Sequence, residues 1–173
     1  MAQQLARAVT TDDGRHDFDF WFGTWRQVNR KRVKPLVAGD PEWVEFESVS
    51  EARPIIAGLG NVDTFKAPAF PGRPGFEGFS LRLFDADTGL WRIWWASTAA
   101  GGHLDEPVVG RFRDGIGRFE CEDVVERIPV RVRYTWKGIT ESSATWEQAF
   151  SFDGGATWDT NWIMTASRVT ERS

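Results

Sequence analysis

HDFDFWFGTW, residues 16–25, is the stretch on which the fold turns. Aromatic rings crowd its first half, and Gly23-Thr24-Trp25 then forms a G-x-W where a short helical turn passes into a first strand. Glycine lets the backbone turn closely at that junction. A tryptophan two residues later can plug one end of a closed sheet, because it offers a large apolar ring and one N–H donor. The matching residue is far away in the chain. Arg168 lies near the end of the last strand-like run, on the alternation side of Trp162, Met164 and Ala166. A guanidinium over the Trp25 ring is a cation–π contact of about 1 kcal/mol, and it would tie the first strand to the last. Gly23, Trp25 and Arg168 are therefore read as structural residues that close a barrel.

Working outward, strand-like runs are expected at 23–34, 41–52, 56–66, 76–85, 89–97, 107–113, 117–126, 129–137, 142–152 and 157–169. Between them stand Asp85 to Gly89, Asp114-Gly115, Lys137-Gly138 and Asp153-Gly154-Gly155, which suit turns needing positive φ or an Asx cap. No 3.6-residue periodicity is sustained, so the segments form an antiparallel meander that must close or stack. The expected architecture is all-β: one antiparallel up-and-down barrel of 8–10 strands with a short N-terminal helical plug. Residues 1–14 are polar and aperiodic and read as a flexible arm, with the barrel domain over 15–173.

Alternation assigns faces to several runs. Val130, Val132, Tyr134 and Trp136 share one side, with Arg131 and Arg133 opposite. Ala144, Trp146, Phe150 and Phe152 group with Gln148, and Trp158 groups with Trp162, Met164 and Ala166. Trp91, Ile93 and Trp95 face one way and Leu90 and Trp94 the other, which suggests a strand covered on both sides by a homodimer contact. Run 41–52 has two readings: Trp43, Glu45, Glu47 and Val49 on one face, Val44 and Phe46 on the other. The loops 67–75, stiffened by three prolines, and 98–106, carrying His103, are candidates to rim a cavity mouth.

Composition narrows the function. Ten Trp and thirteen Phe in 173 residues, spread along strands, point to an aromatic-lined cavity as well as a packed core. A formal charge of −4 gives no basic surface for nucleic acid or anionic membrane. One cysteine, Cys121, excludes an intramolecular disulfide framework. The N-terminus lacks the apolar core of a signal peptide, and the expected setting is cytoplasmic.

With its early G-x-W and late arginine the chain resembles the calycin superfamily of lipocalin-like barrels. HDFDFWFGTW, RLFD at 82–85, WEQAF at 146–150 and DGGATWDTNW at 153–162 look more closely like an uncharacterised bacterial group of calycin-like proteins. The resemblance implies a barrel with an internal ligand cavity and implies no particular reaction. It departs from secreted lipocalins in lacking paired cysteines and a signal peptide. Residues 151–158 also match the S-x-D-x-G-x-T-W hairpin of sialidase-type propellers. A single copy reads as local turn support, since a propeller would repeat it.

Candidate chemistry is sparse. A haem barrel of nitrobindin type would need His16 or His103 as axial ligand, and no Cys/His cluster has zinc spacing. No nucleophile elbow occurs, and Cys121 on a strand reads as a packing residue. Acid/base chemistry by Glu47 or His103 is the catalytic alternative, because a carboxylate desolvated among rings becomes a usable acid or base. Glu147 is a weaker candidate of the same kind. The favoured expectation is a small apolar or aromatic ligand held by Trp43, Trp95, Trp136, Trp146 and Trp162. Tyr134, Gln148 and Glu47 would anchor its polar group, with Arg82 and Asn161 able to orient it, without metal or cofactor.

Overall fold

The computed structural model describes residues 13–170. The arm expected over 1–14 lies almost wholly outside them. The described part of it is tied down: the Gly14 carbonyl accepts a hydrogen bond from Trp91 Nε1 at 2.9 Å. Ten strands follow: β1 (Gly23–Arg32), β2 (Trp43–Ile55), β3 (Gly60–Ala67), β4 (Phe76–Asp85), β5 (Leu90–Ser97), β6 (Val108–Arg113), β7 (Ile116–Val125), β8 (Ile128–Lys137), β9 (Ser143–Ser151) and β10 (Asp159–Arg168). Each pairs antiparallel with its sequence neighbours, and β1 pairs with β10, so the sheet closes on itself. Closure leaves no free edge to template aggregation.

Two departures from the expected strands have local reasons. The third strand starts at Gly60 rather than 56, because Ile56, Ala57 and Gly58 all take positive φ (49°, 50° and 88°) in a tight turn. In β10 a bulge between Thr160 and Trp162 inserts Asn161. It reverses the alternation, so Trp158 does not share the inner face with Trp162 as its spacing suggested. Trp158 instead packs outside, its Nε1 donating to the Gly155 carbonyl at 3.1 Å while Arg133 stacks 3.7 Å from the ring centroid. Phe152, also expected inside, falls beyond the end of β9 and is exposed. Trp94 lies half-buried on the outer side of β5, beside Leu81.

The segment 16–25 seals one end. A 3-10 turn at Asp19–Trp21 pushes Phe18 and Trp21 into the barrel, where Trp21 stacks on Trp25 at 4.8 Å and meets Trp136 at 4.7 Å. Phe18 sits edge-on to Trp91 and Phe112, both at 5.0 Å. Complete burial of such rings contributes on the order of 2–3 kcal/mol each. Trp25 and Arg168 are paired across β1 and β10, with the guanidinium 4.3 Å from the ring. Arg168 also donates to the carbonyls of Phe20, Phe22 and Glu141, anchoring the plug's own backbone. Gly23 has φ +103°, and an added Cβ there would lie 3.2 Å from Arg168 Nη1. Closure and plugging are one device.

Candidate functional site

Above the plug the barrel encloses a cavity of about 240 Å³ that opens at the far end. Its floor is a buried ion pair: Arg82 Nη1 lies 2.7 Å from Asp63 Oδ2, both side chains only 4% exposed. The same Nη1 donates to Asn61 Oδ1 at 3.0 Å, and Trp21 Nε1 donates to Asp63 at 2.7 Å. Two charges so deep are tolerated because each compensates the other and hydrogen bonds fill the remaining positions. Compensation is incomplete, however. Asn61 Nδ2 and Arg82 Nε are buried without hydrogen-bond partners, so the floor has more donors than acceptors.

One wall, from β1 and β2, is polar and internally satisfied. Gln27 Nε2 donates to Ser50 Oγ at 2.8 Å, Ser48 Oγ donates to Gln27 Oε1 at 2.6 Å, and Asn29 Nδ2 donates to Ser48 Oγ at 2.8 Å. Asn29 Oδ1 then accepts from Trp162 Nε1 at 3.0 Å. The remaining wall is aromatic: Trp95, Tyr134, Trp136, Trp146, Phe150 and Trp162 line the space. Tyr134 and Trp146 meet edge-on at 5.0 Å, and Trp146 meets Trp162 at 5.7 Å. Among the described residues nothing hydrogen-bonds the Tyr134 hydroxyl or the indole N–H groups of Trp95 and Trp146. Trp95 owes its position to a glycine. An added Cβ at Gly78 would lie 2.1 Å from Trp95 Cη2, so the ring occupies the room that Gly78 leaves.

The mouth is charged unevenly. Lys31, at the end of β1, holds its Nζ 4.3 Å from the Trp162 ring centroid. Burial pushes its ammonium down to about 8, and the Arg73 charge adds to the effect. Across the opening stand Asp105, Glu106 and Asp123. Partial desolvation and the Asp123 charge raise the Asp105 carboxyl above its usual range. The same acids, with desolvation first, push the Cys121 thiol up to about 12. A thiol so raised carries little thiolate near neutrality, and Cys121 stands in the cavity wall. Burial likewise raises the Tyr134 phenol, which stays protonated and able to donate.

A search of family models and of curated proteins finds no match. The barrel itself has a solved counterpart. It is similar to the S-type phycobiliprotein lyase CPES from Guillardia theta, with a TM-score of 0.58 at 10% identity, over 92% of this chain and 97% of that one. A protein of unknown function from the DUF3598 family of Nostoc punctiforme aligns over 90% of this chain and 99% of that one, at 9% identity and a TM-score of 0.26. At 10% identity the first likeness concerns the fold.

The structure brings together Arg82, Trp95, Tyr134, Trp136, Trp146, Gln148 and Trp162 around the cavity. It separates three others. Glu47 is exposed on the outer face of β2, because the register with β1 turns Phe46, Ser48 and Ser50 inward. Trp43 shares that outer face, and Arg30 and Arg32 stack on its ring at 5.3 and 5.1 Å. His103 is exposed in its loop, although its neighbours Asp105 and Glu106 line the mouth. His16 bonds Asp19 Oδ2 at 2.8 Å on the plug surface, so neither histidine reaches the cavity as a haem ligand would. Glu147 points outward to Lys137 at 2.6 Å. Among the described residues no group of His, Cys, Asp and Glu is arranged to hold a metal ion.

Sequence reasoning missed Lys31, Asp63, Gln27 and Trp21. The available signal was parity: Lys31 and Gln27 follow Trp25 at even spacing and so share its inner face. Loop 67–75 does reach the open end. Phe70 stacks on Phe76 at 4.4 Å and meets Phe46 at 4.6 Å.

Proposed function

We propose that this calycin-type barrel binds a small, flat, mostly apolar molecule that carries a hydrogen-bond acceptor. The observation that carries the reading is an aromatic cavity with donors to spare: the Tyr134 hydroxyl and the Trp95 and Trp146 N–H groups above a donor-rich Arg82 floor. A ligand carboxylate, carbonyl or phenolate supplies what these groups lack, and ring stacking supplies the affinity. A volume of about 240 Å³ lies just below the usual range for small-molecule sites, roughly 300–1,000 Å³, and suits one or two fused rings. The likeness to a phycobiliprotein lyase supports a small-molecule or pigment-type ligand at the level of architecture. Catalysis through Glu47 or His103 gains no support from where those residues sit. The acidic balance and single cysteine support a cytoplasmic setting without nucleic-acid partners.

Titration with 2-naphthoate and with naphthalene, read by tryptophan fluorescence, tests this. Both should quench saturably, with 2-naphthoate roughly ten-fold tighter, as expected for one charge-assisted hydrogen bond. In Tyr134→Phe that advantage should shrink while naphthalene binding stays unchanged. Absence of saturable quenching by either compound would overturn the reading.

A further inference from the structure

Lys31 differs from the other lysines in every respect that matters for chemistry. It projects into the cavity mouth from the inner face of β1. Lys34 and Lys66 are exposed, and Lys137 is neutralised by Glu147 at 2.6 Å. Among the described residues no carboxylate lies within ion-pair distance of Lys31. Its neighbours are the Trp162 ring and the like charge of Arg73, with Asp105, Glu106 and Asp123 elsewhere around the same cavity. An amine in such surroundings gives up its proton more readily than a solvated one, and the neutral amine is the nucleophile.

We propose that Lys31 is a covalent attachment site for an aromatic or conjugated aldehyde seated in the cavity. The Nζ lone pair adds to the carbonyl carbon, forming a C–N bond as the C=O π bond opens, and a proton passes from nitrogen to that oxygen to give a carbinolamine. The nitrogen then loses a proton, and the hydroxyl departs as water after taking up a proton from a rim acid or from solvent at the open mouth. A C=N bond remains, and no oxidant or reductant is consumed. When the imine nitrogen takes up a proton from solvent at the mouth, its positive charge lies over Trp162 and the cation–π contact is retained. The neutral imine avoids the desolvation that disfavours the ammonium. An aldehyde also serves the site's donors, since its oxygen is an acceptor until it leaves.

The inference rests on the binding reading, and the test separates the two. The full chain is incubated with 2-naphthaldehyde and cyanoborohydride at about pH 7.5, where ordinary lysines are almost wholly protonated, and peptides are mapped by mass spectrometry. The other three lysines of the chain serve as internal controls. Lys31 should carry roughly ten-fold more label than Lys34, Lys66 or Lys137, given its lower proton affinity. Excess 2-naphthoate should suppress labelling at Lys31 alone. Binding is read separately with 2-naphthalenemethanol, which has no carbonyl, by tryptophan quenching. If the alcohol quenches and Lys31 is labelled no more than the other lysines, the attachment proposal falls and the binding reading stands. If the alcohol does not quench and Lys31 is not preferred, both fall.

Discussion

At the plugged end, Trp21, Trp25 and Trp91 are almost fully buried, and each indole N–H has a protein acceptor: Asp63, the Trp21 carbonyl and the Gly14 carbonyl. At the open end, Trp95 and Trp146 are half-buried, border empty space, and donate to no described residue. The same side chain therefore does two jobs in one barrel. In Trp21, Trp25 and Trp91, where the ring is surrounded and the N–H is bonded, tryptophan closes the fold. Where neither condition is met, it lines the cavity. The lesson is that aromatic content marks a site only when it coincides with unmet hydrogen-bonding capacity.

Substitutions can break this contrast, and the largest effect should come at the boundary between the two ends. Asp63→Ala leaves the Arg82 guanidinium buried without its counter-charge and Trp21 Nε1 without its acceptor. Urea unfolding should show a loss of about 3–5 kcal/mol. Adding Arg82→Met should recover part of it, because the stranded charge is removed. Next in size is the direct comparison of rings. Trp21→Ala should cost about 3–5 kcal/mol as a cavity in packed core. Trp95→Ala, which only enlarges an existing void, should cost about 1–2 kcal/mol. Equal losses would erase the distinction between the ends.

A smaller effect isolates the mouth. Gly78→Ala places a methyl where the Trp95 ring now lies, so the ring must shift into the cavity. Overpacking of this kind costs about 1–3 kcal/mol. Affinity for 2-naphthoate should fall while near-ultraviolet circular dichroism from the plug tryptophans persists. The least effect is expected at the rim hairpin between β9 and β10. Hydrogen bonds from Thr157 and Ser151 hold the Asp153 carboxyl well below its ordinary 3.8. A depressed carboxylate stabilises the fold above about pH 3.8 and loses that contribution as the pH falls below it. Asp153→Asn should therefore lower the midpoint of thermal unfolding slightly at pH 7, with the gap to wild type closing in acid.

Much of the architecture was legible in the chain. Asp114-Gly115, Lys137-Gly138 and Asp153 to Gly155 mark turns through their own backbone preferences. Trp136, Tyr134 and Val132 declare their face because charged arginines alternate with them. The site was only half legible. Strand β1 places Gln27, Asn29 and Lys31 inward between Arg26, Val28 and Arg30, so polarity does not separate its faces. In β2, Trp43 and Val49 lie on the side of Glu47 and make the outer face look like an inner one.

Strand number, turn positions and the Gly23-Trp25-Arg168 clasp follow from the primary structure, because dihedral preference and two-residue alternation act over a few residues. Which face of β2 looks inward, that a bulge at Asn161 turns Trp158 out, and that Lys31, Arg82 and Tyr134 share one cavity were decided only by the closed sheet. Those outcomes depend on register between strands. A shift of one residue exchanges the two faces, and register is set by the packing of the whole barrel.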